Sequence, residues 1–428
     1  VVLGQLVTGS AGATDNRAIS VLSGGAITDA DADNVTAATN LSGSRVRLDA
    51  ANGVGTATNA IETSVGTVAA RSTAGGVFLT EHNGLTVGTV AAVSVNRVGS
   101  AGTTSAVADS AALAGLSTGG NGALTLRSGT GTTGALSIDA AVSAAGSGAL
   151  LLEAGAGALH LNADVDAGSG HASLVSAGAL NFAADADLRS TGTATLDLRA
   201  ASVAMAHGST LGTGSGNVRI AAGGALQLGA VSTAGSVSLA ASSISDAFSS
   251  GSDTVNVTAD ALRIVTSGTG AGDGAGSAAN ALELAVNSLA ADVNGAGGLF
   301  LGEADALQIG TLAAINVNQV GADGSTLTAT TDAALSNVDV EGALVIVAGG
   351  GITTLATGGA VNASGNLLLQ AGGAAGDITL GGALGNDTGA TSLNAARDVL
   401  VNASVSATGA GQSVDLLAGR SITMADGT

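Results

Sequence analysis

The stretch Gly76-Val77-Phe78-Leu79-Thr80-Glu81 returns later in the chain as Gly298-Leu299-Phe300-Leu301-Gly302-Glu303. Around it, Leu85 to Gly88 (LTVG) returns as Leu307 to Gly310 (LQIG), and Val93 to Gly99 (VSVNRVG) returns as Ile315 to Gly321 (INVNQVG). Each pair is 222 positions apart, as from 76 to 298. Further on, Leu150 to Gly155 (LLLEAG) matches Leu367 to Gly372 (LLLQAG), from 150 to 367, and Met205 to Ser209 is echoed by Met424 to Thr428. The 428 residues therefore hold about two copies of one long unit, 1–210 and 211–428, read as one continuous rod. Self-similarity at a fixed period marks a repeat architecture, which serves shape and surface more often than a single reaction centre.

A shorter period lies inside the long one. Strand-like segments opened by glycine follow one another, such as Gly157-Ala158-Leu159-His160-Leu161 and Gly224-Ala225-Leu226-Gln227-Leu228. Their first apolar positions are Leu136, Leu159, Leu180, Val203 and Leu226. A second series runs through Leu150, Leu174, Leu196, Val218 and Val237. Within each segment apolar residues alternate with polar or small ones, as in Leu196-Asp197-Leu198, the period of a half-buried strand. No segment has a helical apolar period with caps at its ends. Two interleaved series with a common step of about 22 residues predict an all-β chain, a right-handed parallel β-helix with at least two strands per coil. At about 22 residues and about 4.8 Å per coil, roughly 19 coils would form a rod on the order of 90 Å long.

Composition agrees with a stack of coils. There is no proline, which has no N–H to give to a ladder. There are 69 glycines for corners where φ is positive. The four phenylalanines and the absence of Trp and Tyr predict a thin aliphatic interior. A glycine- and serine-rich chain can also be an unfolded linker. Here 46% of residues are hydrophobic and regularly spaced, which disordered segments lack.

The net charge is −20, from twelve arginines, no lysine and 32 acids. That excludes a nucleic-acid surface and a surface for anionic lipid, both of which need basic patches. An acidic surface suits solubility outside a cell. With no cysteine there is no disulfide, thiolate metal site or catalytic thiol. No leader peptide or run of transmembrane length is legible. Neither end reads as a polar capping coil, so the expectation is a section of a longer protein or a subunit stacked end to end.

The Gly-Ala-Leu-x-Leu strands, the acidic turn Ala26-Ile27-Thr28-Asp29, and Gly76 to Leu79 with Leu85 to Gly88 carry a resemblance. They resemble the large repetitive bacterial surface adhesins of the filamentous-haemagglutinin and autotransporter type. The resemblance covers essentially the whole chain. It implies a right-handed β-helical stalk, export to the cell surface, and a role as stalk, filament or adhesin. That family's amino-terminal secretion domain and any carboxy-terminal barrel are not recognisable here.

Individual constellations point to structure before chemistry. Asp29, Asp31 and Asp33 alternate as calcium ligands do, but Asn34 and Asn40 stand where a calcium loop wants Gly and Glu. A solvated corner is the preferred reading, and no metal or cofactor is expected. Gly349-Gly350-Gly351 lacks the Lys-Ser/Thr and the helix of a phosphate loop. His82, His160, His171 and His207 are scattered, and His82 and His207 become Ala304 and Asp426 in the second copy. β-helices also house polysaccharide-active enzymes, whose sites need clustered carboxylates and usually aromatic sugar platforms. Here the acids are dispersed, Arg97 becomes Gln319, and Asp197 and Asp415 read as outward rung positions. No catalytic residue is assigned. Glu81 with Glu303 and Asp29 with Asp246 are acid pairs that survive the duplication; Asn96 with Asn318 also survives and reads as an asparagine that stacks or bonds its own backbone at a corner.

The expected function is therefore a non-catalytic section of an extracellular fibre or adhesin stalk, with further copies of itself as partner. The alternative is a lateral face that binds glycan or a host protein. A polysaccharide-active enzyme is the minor alternative.

Overall fold

A computed structural model describes residues 1–8, 18–31, 39–108, 111–131, 134–249 and 254–427. The described chain is all-β with no helix, and its parallel strands stack as a β-solenoid of about 17 turns with roughly 23 residues per turn. The chain divides into two compact units. One comprises Val1–Ala201 with Asn318–Ala329, the other Ser202–Val317 with Thr330–Thr428.

In the first unit each regular turn carries three strands. One column is built from Val77–Glu81, Leu124–Ser128, Leu150–Ala154, Ala172–Ser176 and Leu196–Ala200. A second runs through Leu85–Val87, Leu136–Ile138, Leu159–Leu161 and Ala179–Phe182. The third, Leu116–Thr118, Val142–Ala144, Val165–Asp166 and Leu188–Arg189, goes beyond the two series predicted. Its strands are two or three residues long and expose only one strong apolar signal each. Leu152 sits on Leu174 and Leu174 on Leu198, and all three are fully buried. Leu150 faces Ala172, so Leu174 belongs with Leu152 and not with Leu150.

The second unit repeats the pattern. Leu344–Ala348, Leu367–Ala371, Thr391–Ala395 and Val414–Ala418 stack in register, as do Val338–Val340, Val361–Ala363 and Leu384–Asn386. Inward Leu, Ile and Val fill most rungs, with Thr391 on Leu367 an exception, and the largest side chains buried to under 2% exposure are all Leu or Ile. Alternation explains this. In Leu367–Ala371 the first, third and fifth residues are buried while the second and fourth are partly exposed.

Two departures explain why there are fewer turns than the sequence predicts. Val77 stacks on Leu124, 47 residues later (77 to 124), and Leu299 on Leu344, 45 residues later (299 to 344). In both places the chain leaves the solenoid, forms a two-stranded ribbon and returns. The first ribbon pairs Ser94–Val98 antiparallel with Thr104–Ala108. The second joins Ile315–Val320 to Leu327–Asp332.

Each copy also opens with two long strands that turn a corner without a break. These are Leu41–Ala50 and Ile61–Ser72 in the first unit, and Val257–Thr266 and Leu282–Val293 in the second. Ile61 to Thr63 pair with Leu79 to Glu81, while Thr67 and Val68 pair with Thr86 and Val87. Between those pairings the ladder has a gap, and that gap fixes the role of the duplicated glutamates.

Candidate functional site: buried carboxylates, a lateral groove and two ribbons

Glu81 fills the ladder gap. Its carboxylate accepts the Val65 N–H at 3.1 and 3.2 Å, the Asn83 N–H at 3.0 Å and the Thr63 hydroxyl at 2.6 Å. Glu303 does the same for Val286 N–H, at 3.1 and 3.3 Å, and for Asp305 N–H at 3.1 Å. Burial pushes both carboxyls above the ordinary value of 4.5, and the hydrogen bonds only partly offset it. Both glutamates are buried, and their carboxylates hold backbone N–H groups. The prediction is direct. Glu81→Ala strands two buried N–H groups and should cost about 2–4 kcal/mol in chemical denaturation. Glu81→Gln keeps an acceptor and should cost less. Because the folded pKa lies above the unfolded one, this contribution is fully present below about 4.5 and is lost as pH rises through the folded value. Gln at both 81 and 303 should remove that slope from stability measured against pH.

The second duplicated acid is also a corner tie. Asp29 is buried and accepts from Asn40 Nδ2, while Asn40 Oδ1 accepts Glu62 N–H at 2.9 Å. In the second copy Asn256 Nδ2 donates to Asp246 Oδ1 at 2.6 Å, Asn280 Nδ2 donates to its Oδ2 at 2.9 Å, and Asn256 Oδ1 accepts Glu283 N–H at 2.8 Å. Asp29 is thus turned inward toward an amide, away from the solvated corner that its sequence context predicts. Asp31 is exposed, and Asp33 lies outside the described residues. Among the described residues no group of three His, Cys, Asp or Glu is placed to hold a metal ion.

Some arginines cross-tie neighbouring rungs, while others, such as Arg189 with Asp187, pair within their own rung. Arg71 bonds Asp49 at 3.0 and 2.8 Å, Arg127 bonds Glu153 at 2.7 Å, and Arg397 bonds Asp377. Asp197 occupies an outward register position, as expected, yet it is fully buried. A groove of about 820 Å³ in the second unit is lined by Asn287, Gln308, Gly349 to Gly351, Gly372, Gly373 and Asp377, among others. Its one acid is held below the usual carboxylate range by the Arg397 guanidinium. The glycine triplet therefore lines an open, weakly acidic trough with no phosphate-binding cation.

The ribbons are the feature that sequence reading placed wrongly. Asn96 and Asn318 are not coil-corner residues; both lie in ribbons outside the solenoid. Within the first unit, Asn318 N–H donates to Thr195 Oγ1 at 2.9 Å and its side-chain amide lies 3.2 Å from His171 Nε2. Val320 N–H donates to Ser173 Oγ at 2.9 Å, and its side chain packs with Ala149, Leu151 and Val175. His171 Nδ1 accepts Thr195 N–H at 2.9 Å, and burial pushes the imidazole below its ordinary 6.5. Within the second unit, Asp332 accepts Arg219 Nε at 3.1 Å and Ser238 Oγ at 2.7 Å.

No helix among the described residues is long and apolar enough to cross a membrane. No protein-family model, no curated protein and no solved structure matches the chain.

Proposed function

We propose that this chain is a structural, non-catalytic section of an extracellular bacterial fibre or surface-adhesin stalk. One observation carries the reading. Two acid pairs that survive duplication serve the backbone: Glu81 and Glu303 accept N–H groups in a ladder gap, and Asp29 and Asp246 anchor Asn40 and Asn256, whose Oδ1 atoms accept the Glu62 and Glu283 N–H groups. An enzyme would be expected to keep its reactive groups, and here the kept groups serve continuity of stacking. Parallel ladders with aliphatic interiors resist deformation because each rung is bonded to the one before and the one after. The net charge of −20 suits solubility outside the cell.

A second reading is a lateral binding module, favoured by the 820 Å³ groove between Asn287 and Thr379. It lacks aromatic platforms, so a glycan would be held by hydrogen bonds alone. Hydrogen exchange of the full chain, alone and with soluble cell-surface polysaccharides, tests the two. The structural reading expects strongly protected strand amides with no polysaccharide-dependent change and no depolymerised product. Added protection confined to Gly349–Thr379 would replace it with the lateral-binding reading.

A further inference from the structure

The two ribbons have the same sequence plan and opposite surroundings. Val95 and Val98 are 53% and 66% exposed, whereas their counterparts Val317 and Val320 are 1% and 2% exposed. The tips agree as well. Gly102 and Gly324 both have positive φ and both donate N–H to the glycine three residues before, at 2.9 Å. A Cβ on Gly324 would lie 2.7 Å from the Ala123 side chain, while one on Gly102 would meet nothing within 4 Å. The first ribbon carries the docking chemistry of the second without a seat.

The seat is duplicated too. In the first unit the ribbon tip and Val320 lie on an outward column of stacked residues, Phe78, Thr125, Leu151 and Ser173, followed by Asp197. The second unit stacks Phe300, Val345, Leu368 and Ser392, followed by Asp415. Four of the five positions keep the same residue, and the fifth exchanges Thr for Val. All five are buried in the first unit, and none is buried in the second. One copy thus has a bare ribbon and the other a bare face, each the image of a pair already joined in this protein.

We propose that the ribbon Ser94–Ala108 of one molecule docks on the Phe300–Asp415 column of a second copy of this chain. By the geometry of the joined pair, Val98 N–H would donate to Ser392 Oγ, the Val98 side chain would cover Leu368, and Gly102 would approach Phe300 and Val345. Two of Val320's neighbours differ at the new seat, Ala149 becoming Asn366 and Val175 becoming Asn394, which makes its rim more polar. Because the ribbon Ser94–Ala108 and the column Phe300–Asp415 are different patches, the contact is heterologous, joining one patch of a molecule to a different patch of the next. This deepens the structural reading and rests on it, since it names the partner and the clamp by which sections join.

The test uses the full chain, which has no native cysteine to confuse a disulfide. Sedimentation should show concentration-dependent association. In Val95→Asp/Val98→Asp it should weaken on the order of 100-fold, since two exposed valines lose their burial in the contact. Thermal unfolding should barely move, because both side chains are exposed. A Val98→Cys chain mixed with a Ser392→Cys chain should oxidise to a covalent pair of twice the mass. The Val320→Cys/Ser173→Cys chain should close within itself and serves as the geometric control. A monomeric wild-type protein at about 100 µM, well above the range of a usable contact, would overturn the proposal. So would a Val98→Cys/Ser392→Cys chain that closes only within itself, placing the seat in the same molecule. Filaments that persist undiminished in the aspartate variant would sink the ribbon clamp while leaving the structural function standing.

Discussion

Proline in place of Leu174 is expected to unfold the turn that carries it. Leu174 is fully buried and stacked between Leu152 and Leu198, with strands bonded on both sides. Proline there removes a ladder N–H, presses its ring on the strand below, and leaves the space of a leucine side chain unfilled. Loss of the bond and ring strain cost about 3 kcal/mol or more, and truncating a buried leucine adds about 2–5. The combined loss, more than about 5 kcal/mol, exceeds the coupling that nearest-neighbour stacking can restore. Leu174→Ala should cost only the cavity. Hydrogen exchange should show Leu150–Ala154 and Leu196–Ala200 losing protection with the substituted strand, while strands many turns away keep theirs. Protection lost equally everywhere would mean that the solenoid melts as one cooperative block.

The second large effect is expected at Gly115, where the chain re-enters the solenoid after the first ribbon. Its φ is +68°, and a Cβ there would lie 1.9 Å from the Ala141 carbonyl oxygen. The same position in the second copy is Asn337, at φ +74°. Both carbonyls accept from an alanine N–H of the preceding turn, Ala70 and Ala291, each at 3.0 Å. Asn337 is accommodated because its rung leaves room for a Cβ, and its Oδ1 accepts Ala360 N–H at 3.2 Å. One corner is thus solved twice, by the residue without a side chain and by the side chain that best tolerates a left-handed backbone. Gly115→Ala should destabilise by more than about 3 kcal/mol, from strain plus collision with backbone. Asn337→Gly should cost about 1 kcal/mol, the loss of one hydrogen bond. Thermal and denaturant unfolding of the two variants measure the contrast. Equal effects at both sites would contradict the crowded first corner.

Much of the fold is legible in the residues because a solenoid writes the same rule on every turn. Leu136, Leu159 and Leu180 do stack, and the alternation in Leu196-Asp197-Leu198 does separate core from outer face. The third strand column escaped because Val142, Val165 and Leu188 sit in segments too short to alternate. The ribbons escaped for a subtler reason. Val-Ser-Val-Asn reads the same as a rung or as an excursion, since both present one apolar face. The signal was present in spacing: 47 residues separate Val77 from Leu124 where a turn needs roughly 23. The duplicated Glu81 and Asp29 were visible as survivors, but their task was not. A ladder gap is a property of register between turns, and no single sequence position displays it. The seat for the ribbon was hidden likewise, because Phe78, Thr125, Leu151 and Ser173 become neighbours only when the turns are stacked.

We propose that this chain is a structural section that joins to further copies of itself. Electron microscopy of the purified full chain, without ligand and across a range of concentrations, tests it most directly. Filaments with a regular axial repeat, lengthening with concentration, are the expected result. Uniform single particles at every concentration would contradict it and shift attention to the groove along Gly349–Thr379.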